Sequence, residues 1–225
     1  MQIRPKQGAN INLVHSPRIA YNREDKPEMR RLRRFGRTGK RQDNMYTFQS
    51  QVRYSELDSD MRLSIASIVD YFQDCSTFHS EELGVGIEYL ERVGMLWVMS
   101  YWQIVIDRYP KLCEKITVGT FPYEFKGFLG YRNFFMEDES GEKIVRANSI
   151  WTLMDVRAGR PARPTQEMME AYRLEEKLDM DYEPRKIRFE QAGERHPAFF
   201  VGKQHLDSNH HVNNGQYIHM AQDYL

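Results

Sequence analysis

A short stretch of this chain occurs twice, and that repeat limits what the chain can fold into more than any other feature. Leu57-Asp58-Ser59-Asp60-Met61-Arg62-Leu63 returns 149 positions later as Leu206-Asp207-Ser208-Asn209-His210-His211-Val212. The register then holds without a gap, pairing Ile68-Val69 with Tyr217-Ile218 and Gln73-Asp74 with Gln222-Asp223. Solenoid repeats have much shorter periods, of roughly 20–50 residues, so two copies of one domain are expected. The copies are not equivalent. Asn209 and His211 stand in the second where Asp60 and Arg62 stand in the first. One half is expected to do chemistry and the other to hold or shape something.

With 225 residues the chain has length for one large or two small domains. Apolar residues make up 40% of it and charged residues 28%, which supports a globular core. The net charge of zero hides a division, because residues 1–44 carry +8 and residues 45–225 carry −8. Residues 1–44, with the run Arg30-Arg31-Leu32-Arg33-Arg34 and almost no apolar periodicity, are expected to be a disordered basic extension. A nucleic-acid-binding arm and an organelle transit segment are its alternatives. Two cysteines, Cys75 and Cys113, make no disulfide framework and suit a reducing compartment. No apolar run reaches the ~20 residues that cross a bilayer. A cytoplasmic protein with no membrane and no nucleic-acid partner is expected.

From Met45 the pattern sharpens. Tyr46–Tyr54 alternates as a strand, with Tyr46, Phe48, Val52 and Tyr54 on one face. Ser64 is placed to cap a helix whose apolar stripe is Ile65, Ile68, Val69, Phe72 and Cys75. A second short helix is expected over Ile87–Val93. Four strands follow, Leu96–Arg108, Lys115–Phe125, Phe128–Glu137 and Lys143–Met154, divided by turn signals such as Gly127 and Glu139-Ser140-Gly141-Glu142. A sheet wrapped on one long helix is the compact way to bury this set. Thr165 caps a short helix over Gln166–Tyr172, and the charged stretch Leu174–Arg188 reads as a connector. A strand near Phe199–His205 and a helix from Asn213, striped by Tyr217, Met220, Ala221 and Tyr224, open the second copy. The division is then 1–44 extension, 45–160 first domain, 161–190 connector and 191–225 start of a second domain. That second domain has about 30 residues where the first spends about 110, so it is expected to be incomplete within this chain, with its helix frayed or docked on the first sheet or on another chain.

Asp207, Asn209 and His211 occupy alternate positions. In an extended segment they would share one face, just before a helix N-terminus that favours negative charge. Asp can orient by hydrogen bonding, Asn can hold a carbonyl or a water, and His can move a proton near neutral pH. A turn with an Asx cap and exposed histidines is the alternative. His205, His210 and His211 have no carboxylate or cysteine set to complete a metal site, and Cys75 on the apolar stripe reads as a packed thiol. Neither a metal nor any other cofactor is expected.

Leu206-Asp207-Ser208-Asn209-His210-His211-Val212-Asn213-Asn214-Gly215-Gln216-Tyr217-Ile218 resembles the D-x-N-x-H-V-N-N-x-x-Y-I signature of the acyl-acyl carrier protein thioesterases. Tyr54-Ser55-Glu56-Leu57-Asp58, Tyr131-Arg132-Asn133-Phe134 and Ala147-Asn148-Ser149-Ile150-Trp151 are similar to bacterial members. The resemblance implies an α+β protein of tandem hotdog folds, the second incomplete here. It implies hydrolysis of the thioester between a fatty acyl chain and the carrier protein, which is then the partner; a homodimer is compatible with it. Asp207 maps as orienter, Asn209 as holder of the carbonyl or water, and His211 as the proton-transferring group. Members use a further residue beyond this segment, often Glu or Cys. The first half would house the acyl chain, with Phe72, Trp97, Met99 and Trp102 as substrate-binding candidates, each of which also reads as plain core. An acyl-CoA thioesterase or hydratase on the same fold is the alternative activity. A non-catalytic acyl-thioester-binding regulator is the alternative from another class.

Overall fold

The computed structural model describes residues 45–186, 197–207, 211–222 and 224. Chain order builds β1 (Tyr46–Gln51), α1 (Ile65–Glu82), α2 (Ile87–Val93), β2 (Met95–Ile106), β3 (Lys115–Lys126), β4 (Leu129–Glu137), β5 (Lys143–Asp155), β6 (Arg160–Pro161), α3 (Gln166–Ala171) and α4 (Asn214–Gln222). The antiparallel sheet runs β1-β3-β4-β5-β2, and the short β6 pairs with β5. The four strands expected from alternation and the two helices from their caps are all present, with bounds shifted by a residue or two. Ser64 Oγ accepts from Ser67 N at 3.1 Å and sets where α1 begins. The strand expected near Phe199–His205 does not form. Residues 197–202 are irregular and Lys203–His205 is a 3-10 turn. Alternation misled there because these residues match the end of β1 and the 3-10 turn Tyr54–Glu56 of the first copy. That turn also takes Tyr54 off the β1 face and leaves it 76% exposed.

One face of the sheet packs on α1. Ile68, Val69, Phe72 and Cys75 of the helix meet Val118, Phe134, Met136, Val145, Ala147 and Trp102 of the strands in one cluster. Its centre is aromatic: Phe72, Trp102 and Phe134 stand 5.0–6.0 Å apart, ring centre to ring centre. A second cluster gathers Val85, Tyr89, Leu153, Met168 and Tyr172, with Trp97 and Phe125 on its margin. On the same face of the sheet lies the buried guanidinium of Arg132. Its Nη1 is 3.0 Å from His79 Nδ1 and donates to Thr120 Oγ1, and its charge lies over the Tyr172 ring. Burial pulls its pKa down.

Residues 174–186 lie over the other face of the sheet. Charged as it is, the chain between residues 174 and 186 is pinned. Gln103 donates to Asp181 O and accepts from Glu183 N. Asn133, fully buried, donates to Ala147 O and accepts from both Leu178 N and Tyr182 Oη at 3.0 Å. Glu175 N reaches Pro122 O, beyond the last residue of β3 paired with β1. This is also where a proline fits a strand, since no ladder hydrogen bond is demanded of its nitrogen. Asn133→Leu takes a hydrogen bond from Ala147 O, Leu178 N and Tyr182 Oη at once, of which Tyr182 Oη keeps Leu178 O. It is expected to cost about 1–3 kcal/mol and to make the 174–186 stretch susceptible to limited proteolysis while the sheet stays resistant.

The second-copy helix is docked. α4 lies on α1, and Ile218 is 2% exposed and joins the main cluster. The contact is helix on helix, not helix on sheet. The buried face of α4 is Gly215 and Ile218, whereas Tyr217 is exposed. The expected stripe of Tyr217, Met220, Ala221 and Tyr224 points more than a third of a turn away from that face and leaves Ile218 out. No helix among the described residues is long and apolar enough to cross a membrane.

Candidate active site

The sequence repeat is a repeat of hydrogen bonds. In the first copy a 3-10 turn, Tyr54–Glu56, leads into a Leu57–Leu63 bridge; in the second, Lys203–His205 leads into a Leu206–Val212 bridge. Asp58 N donates to Arg62 O at 2.8 Å, and Asp207 N to His211 O at 2.7 Å. Arg62 N donates to Asp58 Oδ1, and His211 N to Asp207 Oδ1, both at 3.0 Å. Ser64 N reaches Glu56 O, and Asn213 N reaches His205 O, both at 2.9 Å. Arg53 N is held by Glu56 Oε2, and Gly202 N by His205 Nδ1. Each turn then feeds a capped helix, by Ser64 in α1 and by Asn213 Oδ1, which accepts from Gly215 N at 2.8 Å, in α4.

This geometry changes how the triplet is read. Asp207 and His211 are joined by two hydrogen bonds, as two residues along one extended strand would not be, so period two does not set which way their side chains point. Asp207 caps the backbone N–H of His211 and so fixes where the imidazole is anchored. Asp207 is partly buried and His211 is exposed at the mouth of α4. Asn209 lies outside the described residues. The substrate-binding candidates divide. Phe72 and Trp102 are buried within the aromatic core, Met99 is partly buried against that core, and Trp97 sits in the second cluster with its ring centre 6.2 Å from that of Phe125. A groove of about 560 Å3 between β1, β3 and the β4–β5 turn shares none of these residues, and its lining of Gln49, Lys115, Glu137 and Asp138 is unsuited to an acyl chain.

Residues of α1 that were not singled out face the second turn. Gln73 Oε1 accepts from Asn214 Nδ2 at 2.6 Å, and Gln73 Nε2 lies 3.4 Å from Asn213 Oδ1. Asp70 Oδ1 sits where a side chain on residue 215 would begin, 2.5 Å from the position of a Cβ, so Gly215 lets the helices approach. The polar stripe Asp70, Gln73, Asp74 beside the apolar one was the available signal. Burial, then the charge of Asp74, raises the Asp70 carboxyl, with partial relief from His219 and Gln73. Burial raises Asp74 as well. A raised carboxyl binds its proton more tightly folded than unfolded, so its ionised form costs stability at neutral pH, and the cost fades as pH falls through the folded pKa. Asp70→Asn should therefore raise Tm by a few degrees at most at pH 7. That gain should vanish at a pH acid enough to protonate Asp70, as followed by thermal melts across pH.

An antiparallel sheet closed on one long helix, with a second capped helix laid beside it, defines a hotdog-fold protein. More narrowly, the chain belongs to the acyl-ACP thioesterase family, whose N-terminal domain matches residues 43–172. It is 24% identical over 181 residues to the chloroplastic acyl-acyl-carrier-protein hydrolase FATB1 of Cuphea viscosissima, covering 74% of this chain and 43% of that protein. The chain spans less than half the length of the first plant relatives it matches. Among solved structures it resembles an acyl-ACP thioesterase from Bacteroides thetaiotaomicron, with TM-score 0.72 and 25% identity over 81% of this chain and 74% of that one. A protein from Lactobacillus plantarum, provisionally named an oleoyl thioesterase, gives TM-score 0.71 and 26% identity over 80% of this chain and 71% of the other.

Proposed function

We propose that this chain acts in the hydrolysis of fatty acyl-acyl carrier protein thioesters, releasing free fatty acid and carrier protein and so ending chain elongation. The observation that carries the reading is the turn Asp207–His211, held by its own hydrogen bonds at the N-terminus of α4. In this reading His211 takes a proton from water, and the water oxygen bonds to the thioester carbonyl carbon. The carbon–sulfur bond then breaks, and the imidazolium returns the proton to the leaving sulfur. Asp207 fixes the His211 backbone, and Asn209 holds the carbonyl or the water. The positive end of the α4 dipole favours the negative charge that develops on the carbonyl oxygen. Residues 45–160 are then the acyl-holding hotdog and residues 191–225 the opening of the catalytic one, joined by the connector at 161–190. Phe72, Trp97, Met99 and Trp102 line or support the acyl site. The acidic acyl carrier protein is the partner and the cytoplasm the setting. A panel of acyl-carrier-protein and acyl-CoA thioesters, followed by release of free thiol, tests the reading. Turnover confined to the carrier-protein esters is expected. Turnover of CoA esters alone, or binding without turnover, would replace it.

A further inference from the structure

The geometry points to Gln73, in the half that carries no candidate catalytic group, as a positioning residue for the His211 turn of the other half. Its side-chain amide spans two consecutive asparagines, accepting from Asn214 and facing Asn213 Oδ1 with its NH2 group. Asn213 is the hub of the second turn. Its N–H closes the turn on His205 O, its carbonyl accepts from Gln216 N and Tyr217 N to begin α4, and its Oδ1 caps Gly215 N. A group that fixes Asn213 and Asn214 therefore fixes the two residues through which Val212 and His211 are attached to the helix. Gln73 is itself held on α1, between Phe72 and Cys75, which are fully buried in the core. The position of the second turn is thus referred to a helix packed into the core of the first half.

The repeat supplies an internal control. A contact needed only to pack two related helices would be expected twice, once from each side. The partner of Gln73 in the second copy is Gln222, which is exposed. The positions it would have to grip, matching Asn213 and Asn214, are Ser64 and Ile65. Ile65 offers no hydrogen bond, and the Ser64 hydroxyl is engaged with Ser67. Among the described residues the Gln-Asn-Asn arrangement is found on the side where the turn carries an imidazole, and not where it carries Arg62.

This inference rests on the reading of His211 as the proton-transferring group, and its test separates the two. Wild type, His211→Ala, Gln73→Leu and Gln73→Glu of the whole chain are compared on an acyl-carrier-protein thioester, with backbone hydrogen exchange measured on each. Gln73→Leu keeps the size and loses both polar contacts. It is expected to lower kcat by roughly 10-fold or more, as misplacement of a reacting group by about 1 Å does, and to leave KM little changed. Gln73→Glu keeps the acceptor for Asn214 but not the donor to Asn213, and should recover part of the loss. Exchange should quicken over residues 211–222 in Gln73→Leu and stay unchanged over Ile65–Glu82. Wild-type kcat in Gln73→Leu, or equal losses in the Leu and Glu variants, would overturn the inference even with His211→Ala inactive. If no variant and not even wild type turns over, the functional reading fails. Exchange then still decides the inference: identical protection of 211–222 in wild type and both variants overturns it.

Discussion

Replacing His211 with alanine is expected to lower turnover of an acyl-carrier-protein thioester by ~10²-fold or more, the loss typical of removing a general base. Arg62→Ala, at the matching place in the first copy, should leave it nearly unchanged. The pair is informative because the two turns share their backbone hydrogen bonds, each with an aspartate Oδ1 accepting the N–H of the residue concerned at 3.0 Å. Neither substitution touches those backbone bonds, so both leave the turns intact and differ only in the side chain removed. Steady-state kinetics on the two variants, with melting curves to show equal folding, would settle the matter. Equal losses at the two positions would mean that the imidazole contributes no more than a shape-filling side chain. The division of labour between the halves would then be lost.

How far the sequence could be read depended on what each residue answers to. Strands β2 to β5 answer to alternation and to turn residues, both local, and they appear where alternation puts them. Ser64 and Thr165 announce α1 and α3 because a cap is satisfied within four residues. The failures are non-local. The buried face of α4 is Gly215 and Ile218 because its partner is a helix whose Asp70 needs room, and no pattern within residues 213–225 records that. The charge of residues 174–186 gave no sign of where they lie, because what holds them is largely backbone, gripped by Asn133 and Gln103 from strands some 45 to 80 residues away in sequence. The candidate catalytic triplet was recognisable by residue type and spacing. Its geometry was not, because spacing alone cannot distinguish an extended segment from a turn closed by Asp207 on His211 N. Gln73 was visible only as half of a repeated Gln-Asp pair, and its grip on Asn213 and Asn214 required the two helices to be in place.

Phe72→Ala carries the largest expected effect on stability and tests whether Phe72 is core, acyl site or both. The side chain is fully buried at the middle of α1, 5.1 Å from the Phe134 ring centre and 6.0 Å from that of Trp102. Removing a buried phenyl ring forfeits its transfer free energy and leaves a cavity, about 3–5 kcal/mol together. For a chain of this size that lowers Tm by roughly 6–20 °C. The neighbours cannot readily close the gap. Trp102 and Phe134 are fixed to one sheet, and Ile218 of α4 packs into the same cluster. A hole at this point therefore persists as apolar space between helix and sheet, and such a space takes up hydrocarbon. If Phe72 only packs the core, the variant melts early but keeps the wild-type ranking of acyl chain lengths. If it also ends the acyl site, the variant's preference moves to chains longer by a few methylenes, each of which gains about 0.8 kcal/mol on leaving water. The expected result is both an early melt and a lengthened preference. Thermal unfolding paired with a chain-length series of carrier-protein esters separates the outcomes, and an unchanged ranking would remove Phe72 from the acyl site and leave it to the core.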